Sequence, residues 1–492
     1  MKQKIYIILL FCIIATPPSK VSCEDKKLNI RDVITHALEN NLQLKVDRVS
    51  KHIQQDKYDA ANTIFDPSIE AEASIANNST KTDHYIFRSD TEKFDASIAK
   101  LMPNGDILSV NMVSKRQKTK PFLPATPATK TDFSHQLALS YIKPLMKGKG
   151  KDVVTTEIQV EKNNLTFEQL LLEQHMINTM TTAQIYYWEL FKSKEQLQAQ
   201  IKSLELAKTF LKTTQEKLDM GLIANSELLQ AKAEVAAREE AVLISENEVK
   251  NNQDQLVQYI FGTIELDDEN VLLDQKPVFE KMKDIQIKPQ IQKALDYRID
   301  FQLGKITLEN ANLNYNYYNN QIRPKIDLNI LFSIDGDGKS NNIAYDQFFS
   351  GDNYSGQIGV SVEYPWKMRR DKANLSKASH ERNQAKLSLA NIKQKIILEV
   401  REALRNVLSL EKRFASTKVA QNLAEEKLKM EEDRFRSGYS TSYNVLQFQR
   451  DLTDAMVKNI NAIVDYQIAR VYLEKSTGVT LEVHQVKINP LL

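Results

Sequence analysis

Cysteine is almost missing from this chain. Among 492 residues only Cys12 and Cys23 occur. Both lie within the first 23 positions, so no internal disulfide can form once a leader is removed. Glycine (13), proline (13) and tryptophan (2) are also scarce, which suits long helices joined by few turns. Beyond the leader no run of 18 apolar residues occurs, and mean hydropathy is −0.44. That excludes a transmembrane helix, so any membrane crossing would need strands in a closed barrel. Neither sign of charge dominates: 66 Lys and Arg face 64 Asp and Glu, a formal net charge of +2. Nothing in that balance calls for a nucleic-acid partner.

Catalytic and metal-binding patterns are absent too. The seven histidines, His36, His52, His84, His135, His175, His380 and His484, are scattered without metal-ligand spacing. In "SIDGDGKSNN" (Ser333–Asn342), Asp335 and Asp337 suggest a calcium loop, but Lys339 stands where an oxygen ligand is needed and Asp346 where the loop needs Glu. It reads as a polar turn between two strands. "KGKGKD" (Lys147–Asp152) lacks the glycine spacing and the Ser/Thr of a phosphate-binding loop. No nucleophile–base constellation appears, so the chain reads as no enzyme, with no cofactor and no metal.

What is present begins with an export signal. Lys2 and Lys4 precede the apolar run Ile5–Ala15, and Val21 and Cys23 fit the −3 and −1 cleavage positions. Losing residues 1–23 removes Lys2, Lys4 and Lys20 and leaves a net charge of −1. Cys23 is also the one lipidation candidate, although Lys20 at −3 argues for plain cleavage.

The mature chain is an internal duplication. "ITHALENNLQLK" (Ile34–Lys45) matches "IQKALDYRIDFQL" (Ile291–Leu303), and "FDPSIEAEASI" (Phe65–Ile75) matches "IRPKIDLNILFSI" (Ile322–Ile334), with Pro67 on Pro324. "LALSYIKPLMK" pairs with "IGVSVEYPWKM", placing Pro144 on Pro365. "LAKTFLKTTQEKLDMG" pairs with "LAEEKLKMEEDRFRSG", and "QYIFG" (Gln258–Gly262) with "LEKSTG" (Leu473–Gly478). The matches are collinear. They define a first repeat over 24–262, an inter-repeat segment over 263–287, a second repeat over 288–478 and a tail over 479–492.

Each repeat reads as helix, strands, very long helix, tip, long helix. Leu452, Met456, Ile460 and Ile463 recur at helical spacing, as do Val400, Leu404 and Val407. Four segments alternate instead, at about 67–76, 133–142, 324–334 and 354–364. In the last, Tyr354, Gly356, Ile358, Val360, Val362 and Tyr364 oppose Ser355, Gln357, Gly359, Ser361 and Glu363. Such two-faced segments of about ten residues are what an outer-membrane barrel wall requires, although a soluble sandwich alternates likewise. Four strands cannot close a barrel, so a membrane reading requires several chains to share one. Pro67 to Pro144 is 36 residues longer than Pro324 to Pro365. The excess holds a hairpin at about 94–114, turning at Pro103-Asn104-Gly105, which reads as an elaboration outside the minimal barrel.

The tips are "MGLIANSELLQAK" and "SGYSTSYNVLQFQ", with Gly221 and Gly438 lying 217 positions apart. The glycines suit left-handed helix ends, and Ser226 and Ser442 suit the N-caps of the helices that follow.

Together "ALENNLQLK", "FDPSIE", "YIKPLMKGKGKD", "AQIYYWELFKSKEQL" and the two tips resemble the TolC family of outer-membrane efflux and secretion channels, over the whole mature chain. The resemblance implies an α-helical barrel joined to a transmembrane β-barrel, with four strands per protomer making a twelve-stranded wall in a homotrimer. It implies a passive exit duct of a tripartite efflux pump or type I secretion system, set in outer-membrane lipid and reaching into the periplasm. Its partners would be a periplasmic adaptor protein and an inner-membrane pump or ABC transporter. The adaptor would meet the tips at 221–226 and 438–442, through Gly221, Leu222, Ser226, Gly438, Tyr439 and Ser442. Glu227, Gln230, Asn444 and Gln447 would line the channel mouth. Some relatives carry acidic residues where Asn444 and Gln447 stand, so here closure would rest on packing and amide hydrogen bonds. The alternatives are a periplasmic adaptor, which would show one hairpin and not two repeats, or a coiled-coil structural protein of the cell envelope.

Overall fold

Long helices dominate because the sequence supplies few reasons to stop one. In the computed structural model, residues 27–81, 86–121, 129–262, 272–282 and 286–486 are described. The leader with Cys23, most of the proline-rich loop after Pro121 and much of the inter-repeat segment lie outside them. The first repeat opens with β1 (Lys27–Leu28), α1 (Ile30–Asn40) and α2 (Leu42–Asn62), followed by a short 3-10 turn. Asn29 caps α1 in a capping box with Asp32. The sheet strands β2 (Ser68–Lys81), β3 (Ile86–Leu101), β4 (Ile107–Pro121) and β5 (Lys130–Pro144) follow. Then come α3 (Lys151–Val154), α4 (Thr156–Asp219, 64 residues) and α5 (Asn225–Phe261). The inter-repeat segment holds β6 (Leu272–Leu273), and the second repeat runs through α6 (Ile287–Tyr297), α7 (Ile299–Gln321), β7 (Lys325–Gly338), α8 (Asn341–Ser350) and β8 (Tyr354–Glu363). It ends with α9 (Arg369–Arg436, 68 residues), α10 (Ser442–Thr477) and α11 (Thr480–Val483).

The chain divides into two units. One comprises residues 1–42, 179–284 and 405–472; the other 43–178, 285–404 and 473–492. In the first unit the core gathers Tyr187, Trp188, Leu190 and Phe191 of α4, Leu256 and Ile260 of α5, Val33 and Ala37 of α1 and Val464 of α10. β1 pairs in parallel with β6, which anchors the inter-repeat segment. The Tyr187 hydroxyl donates to the Gln275 carbonyl at 3.0 Å and Tyr466 donates to that of Glu280 at 2.6 Å. Two buried phenols thus fasten the same irregular strap, and burial pushes Tyr187 up to about 12.

The second unit holds a six-stranded antiparallel sheet in the order β2-β3-β4-β5-β7-β8. This corrects two expectations. The sheet has six strands and not four, and the hairpin β3-β4 lies inside it, between β2 and β5. The physical reason is edge pairing: β3 matches β2 residue for residue from Ser68↔Ala99 to Lys81↔Ile86, and β5 has one edge on β4 and the other on β7, which leaves it no edge to offer β2. "SIDGDG" is strand to its end and not a turn, and a helix, α8, links β7 to β8. Ser340 caps α8, which lies on β7 where Gly336 and Gly338 leave room. A Cβ at Gly336 would sit 2.2 Å from the Ala344 carbonyl. His135 of β5 fixes the same contact, stacked on Tyr345 at 4.1 Å with its Nε2 3.1 Å from the Asn341 side chain. Near the helices, Arg298 clamps Asp300 (2.7 Å) and Glu399 (2.5 Å), beside the core of Ala294, Ile396 and Val400.

Candidate functional site: helical tips and a two-faced sheet

The tips close both helical hairpins in the first unit. Gly221 (φ +72°) and Gly438 (φ +82°) occupy the left-handed conformation that ends α4 and α9. The next helices start earlier than expected. Ala224 is the N-cap of α5, with no side-chain bond, and α10 begins at Ser442 itself. Ser226 therefore lies within α5, exposed, and caps nothing. Ser442 is fully buried because its hydroxyl has a different partner: it donates to the Glu227 carboxylate at 2.6 Å, and its N–H adds a bond at 3.4 Å. Glu227 is thus tied to the second tip from the first. Gln230, Asn444 and Gln447 are exposed. Asn444 bonds Ser440 (3.4 Å) in the tip just before α10, and Gln447 bonds Asp451 (3.0 Å) one turn along the helix. Leu222 (66% exposed) and Tyr439 (79%) project from the tips without apolar cover.

One turn further in, a cluster with little sequence signal joins the same hairpins. Glu234 of α5 takes both Arg238 Nε (3.0 Å) and Arg450 Nε of α10 (3.0 and 3.1 Å). Arg238 reaches on to the Ser203 carbonyl of α4 (3.1 Å), and Thr453 bonds the Ser203 hydroxyl at 2.8 Å. Burial alone would push the Glu234 carboxyl up, but the Arg450 hydrogen bonds and the Arg238 charge outweigh it and hold it below the usual carboxylate range. The Glu234–Arg238 spacing of four is legible as a helix pair. Arg450, 216 residues away, has no sequence signal. Below this layer Phe210, Phe435, Val445, Leu446 and Leu452 pack together, and Lys217 donates to the Phe435 carbonyl at 2.5 Å with its ammonium 4.0 Å from the ring.

The sheet of the second unit separates polarity onto two faces, in register across all its strands. One row runs Ile69, Ile98, Val110, Leu139, Phe332, Gly356; the next runs Ala71, Ala96, Met112, Leu137, Ile334, Tyr354. The opposite face carries Glu70, Ser97, Asn111, Ala138, Ser333 and Ser355, then Glu72, Asp95, Val113, Gln136 and Asp335. Polar side chains there bond one another, as in Gln136 to Asp335 (2.6 Å) and Ser333 with Ser355 (2.8 Å). Apart from its far end on β5 and β7, which α8 covers over His135, Gly336 and Gly338, the apolar face is bare: Ile69 is 74% exposed, Ile98 49% and Ile358 75%. Aromatic residues bound it, with Tyr364 and Trp366 beyond one end of β8 and Tyr354 and Phe349 at the other, all exposed. A sheet with one dry, aromatic-edged face and one wet face is built for hydrocarbon on one side and water on the other. Among the described residues no helix is long and apolar enough to cross a membrane, and no cluster of ligating side chains could hold a metal.

Comparison with known proteins agrees with this geometry. A membrane protein from Pseudomonas aeruginosa superposes with a TM-score of 0.67 at 16% identity, over 91% of this chain and 90% of its own. The outer membrane protein VceC from Vibrio cholerae gives 0.65 at 15%, over 91% and 96%. The Campylobacter jejuni CmeC outer membrane channel gives 0.64 at 15%, over 94% and 90%. A search of curated proteins finds no match. The fold is that of the TolC-like outer-membrane channels, long helices joined to a β-sheet domain. Residues 290–479, most of the second repeat, match the family model described as outer membrane efflux protein.

Proposed function

We propose that this protein is the outer-membrane exit duct of a tripartite efflux pump or type I secretion system. Three copies form a passive channel, and energy comes from an inner-membrane pump or ABC transporter. The observation that carries this reading is the bare apolar face running in register across the sheet, opposite a hydrogen-bonded polar face. A periplasmic adaptor or a soluble coiled coil would have no use for such a surface. The polar face lines the aqueous path, and the apolar face meets outer-membrane lipid.

The tips serve docking to a periplasmic adaptor. Exposed Leu222 and Tyr439 supply the apolar contacts, while Gly221 and Gly438 shape the turns that present them. Ser226 adds a polar rim. Gln230, Asn444 and Gln447 surround the mouth, with Glu227 held back by Ser442.

Unboiled membrane extracts should run as a trimer on a denaturing gel and collapse to the 56.4 kDa chain, less its leader, on heating. A soluble periplasmic monomer would exclude the proposal. Leu222→Asp with Tyr439→Asp should abolish capture of the adaptor while leaving that trimer intact.

A further inference from the structure

We propose that the hairpin β3-β4 is part of the membrane wall, so that three chains close an eighteen-stranded barrel through pairing of β8 of one copy with β2 of the next. The proposal rests on the trimeric channel reading and departs from the twelve strands that four per chain would give. Three observations carry it.

The first is position. Among the described residues β2 pairs only with β3, and β4 pairs with β5, so the hairpin cannot leave the wall without detaching β2 from it. The hairpin also obeys the polarity of its neighbours: Phe94, Ile98, Val110 and Met112 join the bare apolar face, and Ser97, Asn111 and Ser109 the polar one. An appendage outside the membrane would need neither.

The second is the pair of open edges. Every residue of β2 is exposed, and so is every residue of β8 except Gly359. Six strands cannot close alone, since the smallest outer-membrane barrels use about eight. Bare edges in hydrocarbon would leave backbone groups unpaired, so another copy must cover them. The strands alternate in direction from β2 to β8, so the two edges meet antiparallel. Placing Ser68 opposite the neighbour's Glu363 sets Ile69 on Val362, Ala71 on Val360 and Ala73 on Ile358. All the apolar partners then fall on one face, and a slip of one residue would destroy the match.

The third is stagger. Followed along the cross-strand pairs, the helix-proximal strand ends climb steadily. Ser68 falls level with Gln357, Leu101 and Ile107 with Gly359, Pro144 with Ser361 and Lys325 with Glu363. That is a shift of six residues over the five spacings from β2 to β8, and the β8–β2 junction above adds a sixth spacing with no further shift. At about 3.4 Å per residue and about 4.8 Å between strands, the closed wall tilts by about 35°. Outer-membrane barrels tilt by about 35–45°, so three copies joined in the register above close with the shear already present in each. Barrel diameter grows roughly in proportion to strand number, which makes this one about one and a half times as wide as a twelve-stranded barrel.

Electron cryo-microscopy of the extracted full-length protein counts the strands directly, and native mass spectrometry of the same sample counts the chains. Eighteen strands and three chains are expected. Three chains with twelve strands would overturn this proposal alone, whereas any other number of chains would overturn the channel reading beneath it. Disulfide trapping gives an independent readout. Glu70→Cys with Ser361→Cys should yield covalently linked trimers on oxidation. Ala71→Cys with Leu137→Cys should stay reduced, because three strand spacings of about 4.8 Å separate those positions. An intrachain disulfide in the second pair would mean that β2 abuts β5 and the hairpin lies outside the wall.

Discussion

Glu234 is the most heavily committed side chain near the tips. It is nearly buried, with one arginine on its own helix and another from α10, and Arg238 has one nitrogen, Nη2, without a partner. Replacing it by Gln leaves Arg238 buried beside a neutral amide. Breaking a buried pair in this way costs about 3–5 kcal/mol. Glu234→Gln should therefore lower the urea midpoint of the tip region and speed tryptic cleavage there. Arg450→Gln should do less, since Arg450 is half exposed. The same carboxylate makes the tips acid-sensitive. Its pKa in the folded chain lies below the unfolded value, so its stabilisation is complete above the ordinary carboxylate range and fades as pH falls through the depressed value. A series of urea midpoints below pH 5 should show a component of the decline that Glu234→Gln lacks.

At the scale of elements, the tip glycines and the hairpin separate what is legible in the sequence from what is not. Gly438 has φ +82° and open space within 4 Å of where a Cβ would lie, so alanine there meets backbone strain and no clash. Gly438→Ala should cost about 1–2 kcal/mol in unfolding measurements and leave the fold intact. That requirement is local, and the sequence announces it. So are the alternations that mark β5, β7 and β8. The start of α10 escapes a sequence reading because serine is a good cap only where its hydroxyl is free, and Ser442 gives its hydroxyl to Glu227 across 215 residues. The hairpin has the alternation of strands, but its place inside the sheet is not legible. Strand pairing is a non-local choice, and the 36 extra residues of the first repeat look like an insertion. Ile98→Lys tests its place: a lysine on the lipid side of a barrel costs up to about 2–4 kcal/mol at mid-depth, and Ser97→Lys on the water side should cost little. Refolding both variants into lipid vesicles and comparing their urea midpoints reads that difference.

For the whole molecule, the two repeats have diverged in separate ways. In the first unit the tips differ in their chemistry, with Glu227 and Asn444 at matching positions, so six tips around a trimeric mouth would alternate. In the second unit the sheet has grown in one repeat only, with four strands from the first and two from the second. In the proposed barrel such growth would be tolerated, because each added pair of antiparallel strands preserves the direction of the two edges relative to each other. Lengthening by a single strand would have reversed one edge and blocked closure.

The open edges of β2 and β8 also have a genetic consequence. In the proposed trimer each copy would offer one sound edge and receive another, so a chain with a ruined edge would still join a ring but could not complete it. If such a variant, for example one with proline at Val360, is made in equal amounts with the normal protein, only about one trimer in eight contains no damaged copy. Deletion of the gene would be recessive, whereas edge damage would be dominant. Measuring export in cells carrying both alleles would distinguish the two patterns of inheritance.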